Sequence, residues 1–120
     1  MHGKRISAGN LRHIVKIQYV TQTQSSSGVV DNVWVDLYSK LYASVDPVSV
    51  REFLVAATTE SQVVARITIR YKKDVTAKMR VVHGDKVYQI EGVQPDIDSG
   101  IEYLTLACST GVMNDDQADV

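Results

Sequence analysis

The stretch Val63–Val93, VVARITIRYKKDVTAKMRVVHGDKVYQIEGV, decides the fold class. Its first part alternates between apolar residues and mostly cationic or polar residues, and this period of two is typical of a strand with one buried face. Two short segments, Met79–Val82 and Val87–Ile90, then form the arms on either side of His83–Asp85, where Gly84 suits the sharply twisted turn of a hairpin. The stretch therefore predicts β-sheet.

Length and composition favour one ordinary globular domain. The chain has 120 residues, of which 44% are apolar and 22% charged. A formal net charge of −1 gives no general signal for nucleic acid or membrane, and no apolar run approaches the roughly 18 residues of a membrane span. The polar start MHGKRISAGN lacks the apolar core of a signal peptide, and the single Cys108 excludes an internal disulfide. We expect a soluble cytoplasmic protein without membrane contact.

The domain is expected to span residues 11–109. Residues 1–10 predict a flexible arm, and residues 110–120, which are acidic and polar, predict a disordered tail. Alternation predicts a first strand at Leu11–Val20, a long strand at Val33–Val45 and a closing strand at Glu102–Ser109. Gly92–Gly100 is interpreted as a loop.

Two segments are candidates for contacts with other proteins. Thr21–Asn32 is rich in Ser, Thr and Gln and predicts a long mobile interaction loop, with Ser26 and Gly28 near its centre. Ser49–Ala57 predicts a short helix that begins with a capping box and carries Arg51 and Phe53.

The long strand has aromatic side chains at even positions, namely Trp34, Tyr38 and Tyr42. Its odd positions are mostly aliphatic, so both faces are apolar. A partner protein would cover the aromatic face, because Trp and Tyr are enriched at interface centres. Cover by the chain's own loop or helix is an equal alternative.

Charge is divided along the chain. Seven Lys or Arg lie between Arg66 and Lys86, whereas no Lys or Arg follows Lys86. The two blocks would pair either within the fold or head-to-tail between copies, with Arg66 and Arg70 facing acids such as Asp96 and Asp98.

No motif for catalysis, cofactor or metal is present. The sequence lacks a phosphate-binding glycine loop, HExxH, a CxxC pair, GxSxG and an EF-hand loop. The histidines His2, His13 and His83 lie far apart in the sequence, and Cys108 is interpreted as a small buried residue. We expect a protein without enzymatic activity, cofactor or metal.

The order of several motifs resembles the head–tail joining (head-closure, stopper or adaptor) proteins of long-tailed bacteriophages and prophages. The matching pieces run from about Gly9 to Cys108: Gly9–His13, Ile17-Gln18, Gly28 before Trp34, Ala43–Val45 with Pro47, Ser49 to Phe53, Ile67–Tyr71, Met79-Arg80 and Tyr88–Ile90. Two features depart from the family pattern. Val50 stands where Gly often follows the Ser, and Pro95–Glu102 lacks a basic residue often found there.

The resemblance implies a mainly β fold, a small antiparallel β-barrel of about six strands with one short helix and a long mobile loop. It implies a structural ring at the head–tail interface of the virion, assembled in the host cytoplasm, that closes the DNA-filled capsid and docks the tail. The implied partners are further copies of the chain, the portal–adaptor complex, and the tail terminator or tail tube, with packaged DNA close by. In isolation the chain is expected to be a monomer.

Two alternatives stay open. The first is a tail-side joining or tail-completion protein, which shares the small-barrel architecture. The second is a nucleic-acid-binding barrel that uses the basic stretch, namely Arg66, Arg70, Lys72, Lys73, Lys78, Arg80 and Lys86. Interleaved aromatic residues are few there, so a solvated strand face explains the stretch more simply.

Overall fold

Six antiparallel strands close into a barrel. In the computed structural model, residues 8–49, 54, 62–96 and 100–111 are described. A 3-10 turn (Ala8–Asn10) precedes the strands β1 (His13–Gln24), β2 (Val30–Pro47), β3 (Ala65–Arg70), β4 (Arg80–His83), β5 (Lys86–Pro95) and β6 (Tyr103–Thr110). Their order around the barrel is β1-β2-β3-β6-β5-β4. The predicted mainly β barrel of about six strands is confirmed.

The barrel interior is filled by the inward side chains of every strand. On β3, Ala65, Ile67 and Ile69 are buried while Arg66 and Arg70 are exposed, as the alternation predicts. Side chains from the other strands complete this core, namely Val15, Ile17, Ala43, Val81, Ile90, Leu104, Leu106 and Cys108. Burial of these aliphatic groups supplies the main driving force for closing the sheet.

The β4–β5 hairpin turns at Gly84 and Asp85, as predicted. His83 pairs with Lys86 across the turn, and Gly84 has a φ of 63°. A positive φ at the first central residue is the geometry of a two-residue turn that follows the natural twist of the strands. Glycine adopts it without a Cβ penalty.

The predicted long loop Thr21–Asn32 is wrong in extent. β1 continues to Gln24 and β2 begins at Val30, so the connection is only five residues, Ser25–Val29. The segment is polar because both faces of this ribbon meet water, and Thr is a favourable strand residue. Pairing along the partner strand satisfies its backbone groups.

β2 contains two extra residues relative to β1. Val15 pairs with Leu41, but Ile17 pairs with Tyr38 and Gln18 with Asp36, so β2 advances by one additional residue at each of two steps. Each β-bulge reverses which face the following side chains occupy. Tyr38 therefore lies on the core face, opposite Ile17, whereas Trp34 and Tyr42 lie opposite Val20 and Ile14 on the outer face. The prediction that all three aromatic residues share one face is wrong for Tyr38.

The β5–β6 connection is shorter than predicted. β5 runs to Pro95, where it still pairs with Leu104, so part of the predicted loop Gly92–Gly100 is strand. A register shift between Ile90 and Gly92 marks a bulge on β5. Of the predicted arm, Ala8–Asn10 is described and forms the 3-10 turn, while the predicted tail and Ser49–Ala57 helix lie almost entirely outside the described residues. No helix of the described ranges has the length and apolarity to cross a membrane.

Candidate functional site

The β1–β2 ribbon extends past the barrel wall. β4 pairs with β1 only at Lys16–Gln18, and β3 pairs with β2 only at Ala43–Pro47. Residues 19–35, here called the projecting hairpin, therefore pair only with each other in the described sheet. Almost all of their side chains are exposed.

The projecting hairpin presents apolar side chains to solvent. Val29 and Val30 at its tip are 55% and 54% exposed. Three more lie along its length, namely Tyr19, Val20 and Val33. Single exposed apolar residues are common on protein surfaces, but five grouped on one thin ribbon are typical of a contact site for another protein.

The tip of the projecting hairpin is internally hydrogen-bonded. Ser25 N–H donates to the Val29 carbonyl at 2.9 Å, and Gly28 N–H donates to the Ser25 carbonyl at 2.9 Å. The Ser25 and Ser27 hydroxyl groups lie 2.8 Å apart. Gly28 has a φ of 90°, a backbone conformation that favours glycine. The predicted interface residues Ser26 and Gly28 thus belong to an ordered five-residue turn.

A polar network around the buried Arg80 holds the base of the projecting hairpin. Arg80 is 7% exposed and its Nε donates to Gln18 Oε1 at 2.7 Å. The guanidinium carbon lies 4.1 Å from the centre of the Trp34 ring. Gln18 Nε2 donates to Asp36 Oδ1 at 2.7 Å, and Lys16 Nζ lies 3.9 Å from the Asp36 carboxylate. These contacts link the ribbon to the barrel wall through three strands.

Tyr38 lies on the core side of β2, opposite Ile17 of β1. Its hydroxyl donates to Asp74 Oδ1 at 2.8 Å, and Lys72 Nζ lies 5.2 Å from its ring centre. The hydrogen bond to the Asp74 carboxylate raises the pKa of the Tyr38 phenol, with smaller contributions from burial and the Asp74 charge. The loop after β3 is thereby fastened to β2.

Tyr42 faces outward and is 55% exposed. It lies beside a cavity of about 410 Å³, lined by Leu11, Lys40, Leu41, Tyr42, Arg70 and Lys72. Arg70 lies with its guanidinium carbon 5.4 Å from the Tyr103 ring centre. Thus the structure brings Tyr42 and Arg70, two residues predicted from sequence, to one surface.

The acidic residue Asp96 organises the β5–β6 connection. Its carboxylate oxygens accept backbone N–H groups from Gly100 at 3.3 Å, Glu102 at 3.1 Å and Tyr103 at 3.0 Å. Arg66 is exposed on the outer face of β3. Asp98, Arg51 and Phe53 lie outside the described residues, and an interface role for the predicted site residues stays a prediction.

Sequence reasoning missed a pair of histidines. His13 and His83 lie far apart in the sequence, but the pairing of β1 with β4 brings their ring centres to 4.9 Å in an edge-to-face arrangement. Burial lowers the pKa of His83, and the positive charges of His13 and Lys86 lower it further, while Asp85 opposes them. Strand periodicity places each residue on a face but does not reveal which strands are neighbours.

The described residues contain no group of three or more His, Cys, Asp or Glu side chains that could hold a metal ion. Cys108 is fully buried, and burial together with the nearby Glu91 charge raises the pKa of its thiol to about 12. Glu91 Oε2 accepts a hydrogen bond of 2.6 Å from the Ser109 hydroxyl. A neutral thiol in the core is a poor nucleophile, so Cys108 has a packing role.

Comparison with known proteins identifies the family of the chain. Residues 6–111 match the model of the family described as phage head completion protein. The chain belongs to the phage head completion protein family. This phage head completion protein is a structural protein of the virion with a role in joining head and tail.

Solved structures share the fold. Protein SF1141 from Shigella flexneri 2a is 29% identical, with a TM-score of 0.70 over 91% of this chain and 100% of that one. A chain from the virion of a native gene transfer agent particle is 14% identical, with a TM-score of 0.53 over 86% and 97% of the two chains. The second likeness shows the fold alone. No curated protein matches the chain.

Proposed function

We propose that this head completion protein forms a ring of identical subunits at the head–tail junction, where it closes the DNA-filled head and docks the tail without catalysis. The projecting hairpin carries the proposal, because Val29 and Val30 are exposed by more than half on an element that contributes little to the core. Their burial against a neighbouring virion protein would recover the free energy lost by exposing them.

The rigid base supports this role. A contact ribbon that is held by Arg80, Gln18 and Trp34 at its root loses little conformational freedom when it binds. The barrel then acts as the scaffold that sets the direction of the ribbon. The proposed partners are neighbouring subunits, the portal–adaptor complex and a tail protein, with DNA close to the ring in a virion assembled in the host cytoplasm.

The test replaces Val29 and Val30 together by Ser. We expect the variant to unfold at nearly the same denaturant concentration as the parent, because both side chains face water in the subunit. It should fail to co-sediment with portal–adaptor complexes, and electron microscopy should show no ring. Complementation of a phage that lacks its own head completion protein should give heads that lose DNA.

Ile101→Ser is the matched control, since Ile101 is 70% exposed and belongs to the β5–β6 connection rather than to the projecting hairpin. The proposal would be contradicted if the variant with Ser at positions 29 and 30 formed rings like the parent while Ile101→Ser abolished them. Retention of the protein on separated tails but not on heads would favour the tail-side alternative.

A further inference from the structure

The cavity beside Tyr42 combines an apolar floor with a cationic rim. Leu11 is 7% exposed and Leu41 is half-buried, whereas Tyr42 is 55% exposed at the edge. Three cations complete its lining, namely Lys40, Arg70 and Lys72. A cavity of about 410 Å³ is large enough for one or two side chains of a peptide.

Two of the three rim cations are held in place, and none of the three is paired with a carboxylate in the described part of the chain. Arg70 is stacked on Tyr103 and Lys72 on Tyr38, which limits their conformational freedom. Within the described ranges, no carboxylate lies at ion-pair distance from Lys40, Arg70 or Lys72. Three like charges around one cavity repel each other, so an anionic occupant is favoured over an apolar or cationic one.

One segment of the chain has matching chemistry. Residues 111–120, GVMNDDQADV, contain the apolar pair Val112-Met113, then the acidic pair Asp115-Asp116 and finally Asp119, with no cation. An apolar pair followed two residues later by acids matches an apolar floor with a cationic rim. The family match ends at Gly111, so it does not include residues 112–120.

The positions of the cavity and the segment favour a contact between copies. β6 begins at Tyr103, which pairs with Arg70 at the cavity, and ends at Thr110. Gly111 N–H then donates to the Val87 carbonyl at 2.8 Å, at the opposite end of the strand. Seven residues of strand separate the two points by about 24 Å. To reach the cavity of its own subunit, the segment would have to turn back along the barrel. It can reach the cavity of a head-to-tail neighbour without that reversal.

We propose that this cavity binds the acidic segment 112–120 of a second copy. The contact is heterologous, since a cationic surface on one subunit meets an acidic segment on the next, and such contacts generate rings when the rotation closes. The inference rests on the proposed ring and supplies one of its subunit contacts.

Binding is measured first, independently of any ring. A fluorescent peptide of residues 111–120 is titrated into a full-length chain in which Asp115, Asp116 and Asp119 are all replaced by Asn, so that its own segment does not compete. We expect saturable binding that weakens as NaCl rises. Lys40→Glu should weaken binding by roughly fivefold to tenfold. Lys40 is exposed, so this variant is expected to fold normally.

Lys86→Glu is the matched control, because Lys86 is exposed, does not line the cavity and makes the same change in net charge. Equal weakening by both variants, or no peptide binding at low salt, would overturn the inference. A third result would also overturn the inference: the chain binds a short DNA duplex but not the peptide, and Lys40→Glu abolishes the DNA binding. The cavity would then be assigned to phosphate.

Assembly separates this inference from the proposed function. The triple Asn chain should form rings less readily on the portal–adaptor complex than the parent. Parent-like rings from the triple Asn chain would refute the subunit contact but leave the ring intact. The segment could instead occupy the cavity of its own subunit. In that case the parent chain would fail to bind the peptide even when dilute, and this result would refute the contact between copies.

Discussion

The guanidinium carbon of Arg80 lies 4.1 Å from the centre of the Trp34 ring, in a site where Arg80 is only 7% exposed. Arg80 belongs to the barrel and Trp34 to the projecting hairpin, so this stacking joins the two parts of the molecule. Trp34 is also the only tryptophan of the chain, so its fluorescence reports on this joint.

Arg80→Lys should lower the free energy of unfolding by about 1–3 kcal/mol. Lysine keeps the charge but cannot both stack on Trp34 and donate to Gln18 as the planar guanidinium does. Urea unfolding followed by Trp34 fluorescence measures the change, with a red-shifted native emission expected. Arg12→Lys, at an exposed position, should change stability by less than about 0.5 kcal/mol. Equal effects of both substitutions would show that the contacts of the buried Arg80 contribute nothing to stability.

Gly84→Ala should destabilise the β4–β5 hairpin by about 1–2 kcal/mol, because an L-residue with positive φ is strained. Gly84 has a φ of 63°, while nothing lies within 4 Å of the position that an added Cβ would take, so the cost is conformational rather than steric. Gly92→Ala is the comparison, since Gly92 is equally open but has an ordinary φ. Thermal unfolding should show a fall for the first variant and little change for the second, and an equal response would disprove the explanation.

The Cys108 thiol predicts a loss of stability in alkali. Its folded-state pKa of about 12 lies above the ordinary value of 9.0, so folding favours the protonated thiol. That contribution is fully present below pH 9 and disappears as pH rises from 9 towards 12. Unfolding free energies measured from pH 8 to pH 10.5 should fall more steeply for the parent than for Cys108→Ala. Parallel curves, or fast reaction of the native thiol with a disulfide reagent at pH 8, would contradict a buried neutral Cys108.

The His13–His83 pair predicts a loss of stability in acid. The pKa of His83 is lowered by burial and by the His13 and Lys86 charges, so folding favours the neutral imidazole. This contribution is present above the ordinary pKa of 6.5 and is lost as pH falls through the lower folded-state value. His13→Gln should therefore raise the pKa of His83, as seen by NMR titration, and reduce the loss of stability between pH 7 and pH 5. Asp85 faces the same imidazole and acts in the opposite direction. An unchanged His83 titration would show that the two rings do not interact electrostatically.

The sequence was sufficient where a strand keeps a strict period of two and a local turn fixes its partner. β3 and the β4–β5 hairpin meet both conditions, and the structure agrees with the predicted faces and turn. β2 does not, because two bulges shift its alternation and place Tyr38 on the face opposite Trp34 and Tyr42, in a way that no residue type signals.

Composition misled at Thr21–Asn32 for a different reason. Polar residues are typical of loops, but they are equally suitable for a ribbon that meets water on both faces. The cavity beside Tyr42 and the His13–His83 contact depend on which strands become neighbours when the barrel closes. That information lies in long-range packing and not in any local pattern.

The projecting hairpin gives the molecule an adjustable length. Two residues added to each of its strands would move the Ser25–Val29 turn outward by about 7 Å and preserve the facing of every side chain. The buried Arg80 joint and the barrel interior would stay unchanged. The distance bridged by this protein can thus vary by even-numbered insertions in one ribbon, while the folding of the barrel is left alone.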